Sequence, residues 1–111
     1  MSAEALAVNS PYAPAGKEPV LVSVLMLAYN HGPYIRESIL SVLAQRGPFR
    51  LELLIGEDCS TDETRRVVEE LSAAFPEVIR AFISEKNLGM HENGRRLEAA
   101  ARGKYVAYCE G

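Results

Sequence analysis

Four short apolar runs divide the chain, and each of them predicts a β-strand. Residues 20–28 (VLVSVLMLA) are apolar at every position except Ser23. Such a run is typical of a strand buried on both faces, as in a parallel sheet. The runs at 51–55 (LELLI), 78–84 (VIRAFIS) and 105–109 (YVAYC) predict the second, third and fourth strands.

The segments between these runs carry apolar residues at helical spacing. Residues 33–45 predict a first helix, because Pro33 suits a first helical turn and Gly47-Pro48 ends the segment. A third helix is predicted over 90–101, and Gly94 weakens it. Its apolar positions are Met90, Leu97 and Ala101.

The second predicted helix begins at a capping box. In the segment Ser60-Thr61-Asp62-Glu63, Ser60 would cap the first turn and Glu63 would reach back to it. The helix that follows is amphipathic. Its predicted buried face consists of Thr64, Val67, Val68, Leu71 and Phe75.

The resulting order, β-α-β-α-β-α-β, predicts an α/β fold. We expect a Rossmann-like three-layer arrangement, with a parallel sheet, helices on its faces and right-handed crossovers. Ligands of such sheets bind outside the carboxyl ends of the strands. The positions to inspect are therefore 28–30, 57–58, 84–87 and 110.

Length and composition limit the possible classes. The 111 residues suffice for one domain, which we place at 20–111 after a flexible lead-in at 1–19. A net charge of −3 argues against a nucleic-acid partner. No apolar run reaches the roughly 20 residues of a membrane span. Cys59 and Cys109 match no metal or disulfide spacing, which indicates a reducing, cytoplasmic location.

Two adjacent carboxylates, Glu57 and Asp58, follow the second strand. Neighbours on an extended chain point in opposite directions, so an acid/base pair is not expected. One of them can turn inward to accept a hydrogen bond from a nucleotide base or a ribose hydroxyl. The alternative is a solvated turn, with Asp62 interacting with the helix dipole.

Other candidate groups carry weaker signals. Neither a GxGxxG nor a GxxxxGK[ST] motif occurs, which disfavours dinucleotide binding through that fingerprint and a P-loop. Tyr29 can stack on a base or pack on the sheet, and His31 follows in the same turn. A cation among Lys86, Arg95 and Arg96 could meet a diphosphate, or these residues could be solvated charges.

Three segments together resemble family 2 glycosyltransferases of the GT-A fold. They are VSVLMLAYNHGPYIRESILSVLAQ (22–45), LLIGEDCSTDET (53–64) and YVAYCEG (105–111). The second is similar to the family's Asp-Asp-Gly-Ser-Thr-Asp segment, with Cys59 in place of the usual Gly. Residues 87–93 resemble the family's Asn-x-Gly-x-x-x-Asn region. The resemblance implies a sheet in the order 3-2-1-4.

The resemblance also implies a function and a set of site residues. The function is transfer of a sugar from a nucleotide-diphosphate sugar to an acceptor hydroxyl. Asp58 matches the acid that binds the base, and Glu57 matches the acid before it. The implied nucleotide-binding residues are Ala28, Tyr29, Asn30, Glu57, Asp58, Asn87, Gly89 and Asn93.

The family's metal motif, Asp-x-Asp, would begin at Glu110, a predicted metal ligand. Its second acid would follow Gly111, the last residue of the chain. A divalent cation, Mn²⁺ or Mg²⁺, is therefore expected in a full-length parent enzyme, and tight metal binding is not expected in this chain. We expect a truncated nucleotide-binding half without a catalytic base, inactive by itself.

Two further expectations and two alternatives remain. The fourth strand would be an exposed apolar edge, which predicts a homodimer formed through it. The parent enzyme could act at the inner face of the membrane. The main alternative is a non-catalytic α/β module that binds a protein partner. A nucleotidyltransferase is a weaker alternative, since no glycine-rich basic loop follows the first strand.

Overall fold

The computed structural model describes residues 19–45 and 49–110. The predicted lead-in at 1–19, apart from Pro19, and the predicted helix stop at Gly47-Pro48 lie outside these ranges. The elements are β1 (Val20–Ala28), α1 (Gly32–Leu43), β2 (Arg50–Glu57), α2 (Thr64–Ala74), β3 (Ile79–Ile83), α3 (Met90–Ala100) and β4 (Tyr105–Glu110).

The four strands form one parallel sheet in the order β3-β2-β1-β4. The predicted fold class and strand order are therefore confirmed. β2 continues to Glu57, two residues beyond its predicted end at 55. The reason is pairing on both sides, because Glu57 is in register with Ala28 of β1 and with Ile83 of β3. The first acid of the predicted turn is thus the last residue of a central strand.

The helices cover the two faces of the sheet unequally. α1 and α2 pack on one face, where Ile35, Ile39, Val68 and Leu71 are fully buried. Among the described helices, only α3 packs on the other face, where its Leu97 joins a small apolar cluster. Burial of each such side chain contributes about 1.5–3 kcal/mol, so most apolar stabilisation comes from the α1–α2 face. The predicted buried face of α2 is confirmed at all five positions.

The predicted capping box is wrong. α2 begins at Thr64, and neither Ser60 nor Glu63 caps it through a side chain. Asp62 does so instead, because its Oδ1 accepts the Thr64 N–H at 2.9 Å while its Oδ2 accepts the Gly32 N–H at 2.9 Å. One carboxylate therefore serves the first turns of two helices.

The predicted face of α3 is also partly wrong. Met90 is 76% exposed, whereas Asn93, Gly94 and Leu97 are buried. The polar first half of α3 lies over the carboxyl end of β2, so an amide side chain occupies the inner face there. Within the described ranges, no helix is long and apolar enough to cross a membrane.

Candidate functional site

A cavity of about 760 Å³ opens at the carboxyl ends of β1 and β4. β1 lies between β2 and β4 in the sheet. The chain runs from β1 to β2 through α1 on one face of the sheet, and it enters β4 from α3 on the other face. This is the position at which parallel α/β sheets bind ligands. The lining residues are Leu27, Ala28, Tyr29, His31, Asp58, Asn87, Gly89, Met90, Asn93, Tyr108 and Cys109.

Asp58 forms part of the cavity wall and is 4% exposed. Its two carboxylate oxygens accept the N–H groups of Leu88 and Gly89, at 2.6 and 2.9 Å. These donors lie in the loop between β3 and α3, so Asp58 joins the end of β2 to that loop. Each carboxylate oxygen can accept more than one hydrogen bond. Asp58 therefore retains the capacity to accept from a ligand.

Glu57 points to the other face of the sheet, as expected for the neighbour of Asp58 in an extended chain. It is fully buried and does not line the cavity. Its Oε1 accepts the Ser60 N–H at 3.0 Å. Its Oε2 is buried and has no hydrogen-bond partner among the described residues. The structure therefore gives Glu57 a contact with the loop before α2, and it separates Glu57 from the cavity.

The loop after β1 places its three predicted site residues differently. Ala28 and Tyr29 line the cavity, and Tyr29 is 44% exposed. Asn30 does not line it. The Asn30 Oδ1 accepts the Thr61 N–H at 2.8 Å, and the Asn30 N–H donates to Ser60 Oγ at 3.0 Å. Asn30 therefore connects the loop after β1 to the loop after β2.

Backbone strain is concentrated in these loops. Asn30 has φ 51° and Cys59 has φ 59°, and the described residues include no other positive-φ residue besides glycine. The left-handed region is unfavourable for residues with a Cβ. Cys59 stands where the resembling family has Gly, and its thiol donates to the Glu85 carbonyl at 3.5 Å. Its side chain does not line the cavity.

The loop before α3 supplies the remaining predicted residues. Asn87, Gly89 and Asn93 all line the cavity. Gly89 has φ 85°, a conformation that favours glycine. Asn87 Oδ1 accepts the Gly89 N–H at 3.1 Å. This hydrogen bond holds the loop at the entrance to α3.

Asn93 is 2% exposed and links α3 to β2. Its Nδ2 donates to the Gly56 carbonyl at 2.9 Å. A Cβ on Gly56 would lie 2.2 Å from Asn93 Oδ1. Glycine is therefore required at position 56 for this close approach.

Five lining residues were not among the nucleotide-binding residues implied by the sequence: Leu27, His31, Met90, Tyr108 and Cys109. The strand-end rule selected position 110 of β4, whereas Tyr108 and Cys109, which line the cavity, come just before it in that strand. Tyr108 donates its hydroxyl proton to Glu98, and this hydrogen bond raises the pKa of Tyr108. Met90 is exposed because Asn93, and not Met90, lies on the inner face of the first half of α3.

The predicted metal ligand, Glu110, lies at the carboxyl end of β4, in register with Leu27 of β1. Its side chain lies outside the described atoms. The part of the chain that the structure describes contains no group of three or more His, Cys, Asp or Glu residues placed to hold a metal ion. A divalent cation requires several oxygen ligands, so the described side chains do not form such a site by themselves.

Several solved structures share the fold of this chain. The chain superimposes on the mannosyltransferase PcManGT from Pyrobaculum calidifontis, which was solved in complex with GDP-Man and Mn²⁺. The TM-score is 0.71, and the superposition covers 97% of this chain and 34% of that protein. The identity is 21%, so this likeness shows the fold alone. S. aureus TarS 1–349 gives a TM-score of 0.72 at 27% identity, over 82% of this chain and 27% of TarS.

Curated relatives align over most of the chain. Uncharacterized protein Rv1520 of Mycobacterium tuberculosis is 40% identical over 81% of the chain. A putative teichuronic acid biosynthesis glycosyltransferase, TuaG of Bacillus subtilis, is 36% identical over 81%. Chondroitin synthase of Escherichia coli is 38% identical over 85%. The chain spans 26%, 35% and 13% of the lengths of these three relatives.

The family model described as glycosyl transferase family 2 matches residues 23–111, which is most of the chain. The match includes β1 from Ser23 onward, the loops after β1 and β2 that carry Tyr29 and Asp58, and the segment before α3. The strand order and the GT-A neighbours agree with it. The chain belongs to glycosyl transferase family 2.

Proposed function

We propose that the cavity binds the nucleotide part of a nucleotide-diphosphate sugar, and that the complete enzyme, rather than this chain by itself, transfers the sugar to an acceptor hydroxyl. The observation that carries the proposal is the cavity at the carboxyl end of β1, lined by Tyr29 and Asp58, in a chain that belongs to family 2. GDP-Man is bound by the mannosyltransferase that shares the fold, which supports a ligand of this class.

The lining residues suit a nucleoside. Tyr29 presents a partly exposed ring on which a base can stack. Asp58 offers carboxylate oxygens that can accept from a base N–H or a ribose hydroxyl. Asn87 and Asn93 add amide groups to the same cavity. Glu57 and Asn30 do not line it, so we assign them to holding the loops.

Calorimetry on this chain tests the binding proposal, with uridine and guanosine diphosphates as probes. We expect one of them to bind and Tyr29→Ala to weaken its binding about tenfold, through loss of stacking. The control is Tyr34→Ala, because Tyr34 is also an exposed tyrosine and does not line the cavity. Binding of neither nucleotide would instead favour the protein-interaction module.

A second titration tests whether a divalent cation takes part in donor binding. We propose that Mn²⁺ or Mg²⁺ accompanies the donor in the complete enzyme, with Glu110 as one ligand. The Mn²⁺ in the PcManGT complex supports this proposal. Titrations of the complete enzyme with and without Mn²⁺, on the wild type and on Glu110→Gln, should show a Mn²⁺-dependent gain in nucleotide affinity that the variant loses, whereas this chain alone should show little gain. An equal gain in the variant would remove Glu110 from the site.

We further propose that the chain forms a homodimer through β4. Tyr105, Val106 and Tyr108 of this edge strand are 57%, 48% and 56% exposed, and exposed strand edges pair with other chains. Light scattering should give twice the monomer mass, and Val106→Lys should return the mass to that of a monomer. A monomeric wild type at high concentration would contradict the proposal.

The location is proposed to be cytoplasmic. Cys59 and Cys109 do not form a disulfide with each other. Thiols remain reduced in the cytoplasm, which supports this location. Fractionation of cells that express the native protein, with immunodetection in the cytoplasmic and membrane fractions, tests the proposal and the alternative of the inner membrane face.

A further inference from the structure

Two adjacent arginines of α3 occupy different environments. The Arg95 side chain is 67% exposed, and its ion pair within the described residues is with Glu92, at 3.6 Å. The Arg96 side chain is partly buried beneath the cavity wall and donates three hydrogen bonds. The sequence alone treats these two residues as equivalent.

Arg96 joins three elements at the edge of the site. Its Nη2 donates to the carbonyls of Glu57 and Phe82, at 3.1 and 2.8 Å. Its Nε donates to Asn93 Oδ1 at 2.8 Å. The guanidinium therefore connects the carboxyl ends of β2 and β3 to the first half of α3. A planar guanidinium can make such a set of contacts, whereas an ammonium group cannot.

The contacts continue from Arg96 to the cavity itself. Asn93 lines the cavity and is bonded both to Arg96 and to the Gly56 carbonyl. Asp58, two residues after Gly56, holds the loop before α3 through the N–H groups of Leu88 and Gly89. The wall formed by Asp58, Gly89 and Asn93 thus depends on where α3 lies on β2.

Charge favours the same arrangement. Burial lowers the pKa of the Arg96 guanidinium, and the neighbouring charges of Asp58 and Glu57 raise it. Both acids are almost fully buried. A buried charge is stable only with a partner of opposite sign or with hydrogen bonds. Arg96 supplies the compensating charge on the side away from the cavity.

We propose that Arg96 is a positioning residue of the nucleotide site. It does not line the cavity; it holds the first turns of α3 on β2 and β3, and thereby holds Asn93, Gly89 and the Asp58 contact in the geometry that a nucleotide requires. The proposal rests on the proposed function for the identity of the ligand.

The test compares Arg96→Met with Arg95→Met in the full chain. Nucleoside diphosphate affinity is measured by calorimetry. We expect Arg96→Met to weaken binding at least about tenfold, since each lost hydrogen bond involves a charged group. Arg95→Met should stay within about twofold, because its exposed ion pair contributes little. Arg96→Lys, which keeps the charge and loses the fork, should fall between wild type and Arg96→Met.

Amide hydrogen exchange separates positioning from general stability. In Arg96→Met the exchange of the Leu88 and Gly89 amides should rise at least about tenfold more than that of a core amide such as Leu54, because local opening is independent of global unfolding. A uniform rise, or affinity within twofold of wild type, would overturn the proposal. If Arg96→Met does not fold, Arg96→Gln is measured with the same criteria.

The same data distinguish the two proposals. If the wild-type chain binds no nucleotide, the proposed function fails, while the exchange of Leu88 and Gly89 still decides whether Arg96 positions the loop. If the wild type binds and Arg96→Met binds equally well, the proposed function stands and the role of Arg96 fails.

Discussion

Carboxylates are buried at both ends of β2, but their hydrogen bonding differs between the two ends. Glu52, near the amino end, is 4% exposed, and Glu57 and Asp58, at the carboxyl end, are 0% and 4% exposed. Glu52 has hydrogen-bond donors on both oxygens. Glu57 keeps one oxygen without a partner among the described residues, and Asp58 faces a cavity. The same residue class is therefore fully hydrogen-bonded at one end, whereas at the other end Asp58 lines a cavity.

The amino end is a completed network. Glu52 Oε2 accepts from Ser23 Oγ at 2.6 Å and from the Arg102 N–H at 2.7 Å, and Oε1 accepts from Arg80 at 3.1 Å. Burial alone would raise the pKa of Glu52, but the hydrogen bonds from Ser23, Arg102 and Arg80 together lower it below its usual value. Buried polar groups in stable proteins are normally hydrogen-bonded in this way.

The carboxyl end retains strain and unused hydrogen-bonding capacity. The described positive-φ residues, Asn30, Cys59 and Gly89, all lie in its loops. Strained backbone and unsatisfied buried groups occur preferentially at functional sites. If the cavity binds a nucleotide as proposed, substitutions at the amino end should mainly change stability and substitutions at the carboxyl end should mainly change binding.

The largest effect is expected from Glu52→Gln. Removing one partner of a buried ionic network costs about 3 kcal/mol, and urea unfolding should show this loss. Asp58→Asn should cost about 1 kcal/mol of stability, because one accepting oxygen remains, while it weakens nucleotide binding more than Glu52→Gln does. If both variants lost stability equally and bound nucleotide equally, the two ends of β2 would not differ in role.

The next largest effect concerns two glycines near α3. Gly56→Ala should destabilise the protein by about 2 kcal/mol, since the new Cβ would overlap Asn93 Oδ1 and displace α3. Gly94→Ala is the matched control, because the nearest atom to a Cβ there, the Tyr108 hydroxyl oxygen, is 3.8 Å away. Alanine in a helix interior should instead stabilise by about 0.5–1 kcal/mol. Urea unfolding of both variants measures the difference, and equal effects would contradict the role of Gly56.

A smaller effect is expected from acid. The pKa of Glu52 is lower in the folded chain than its ordinary value of 4.5. Its contribution to stability is therefore complete above that value and is lost as the pH falls through the folded pKa. Urea midpoints from about pH 7 to pH 3 should decline less steeply in Glu52→Gln than in wild type. Parallel declines would show that Glu52 does not control acid stability.

The smallest effect is expected from Cys59→Gly. Glycine would relieve the left-handed strain at φ 59°. It would also make the unfolded chain more flexible, which cancels part of the gain in stability. We therefore expect a net stabilisation of about 0.5 kcal/mol. Cys59→Ala keeps the strain and removes only the thiol, which makes it the control. Thermal unfolding measures both, and a destabilised Cys59→Gly would show that the thiol contact outweighs the strain.

The sequence by itself determined the fold and the edge of the sheet at which the cavity opens. Apolar runs and helical spacing report which face of an element is buried, and alternation of strands and helices predicts a parallel sheet. The strand order 3-2-1-4 was implied by the family resemblance. The segments around Tyr29 and Asp58 pointed to family 2, and the matched residues 23–111 confirm it. Roles within the site remain proposals that rest on these positions.

Only the tertiary structure decided which polar groups meet. Arg95 and Arg96 have identical chemistry, yet only Arg96 reaches strand carbonyls, 39 and 14 positions away in the chain. Asn30 bonds to a loop 31 positions away instead of lining the cavity, and Asp62 replaces the predicted capping box. Apolar burial follows a repeating pattern along the chain, whereas each polar contact depends on which distant donor and acceptor the packed elements bring together.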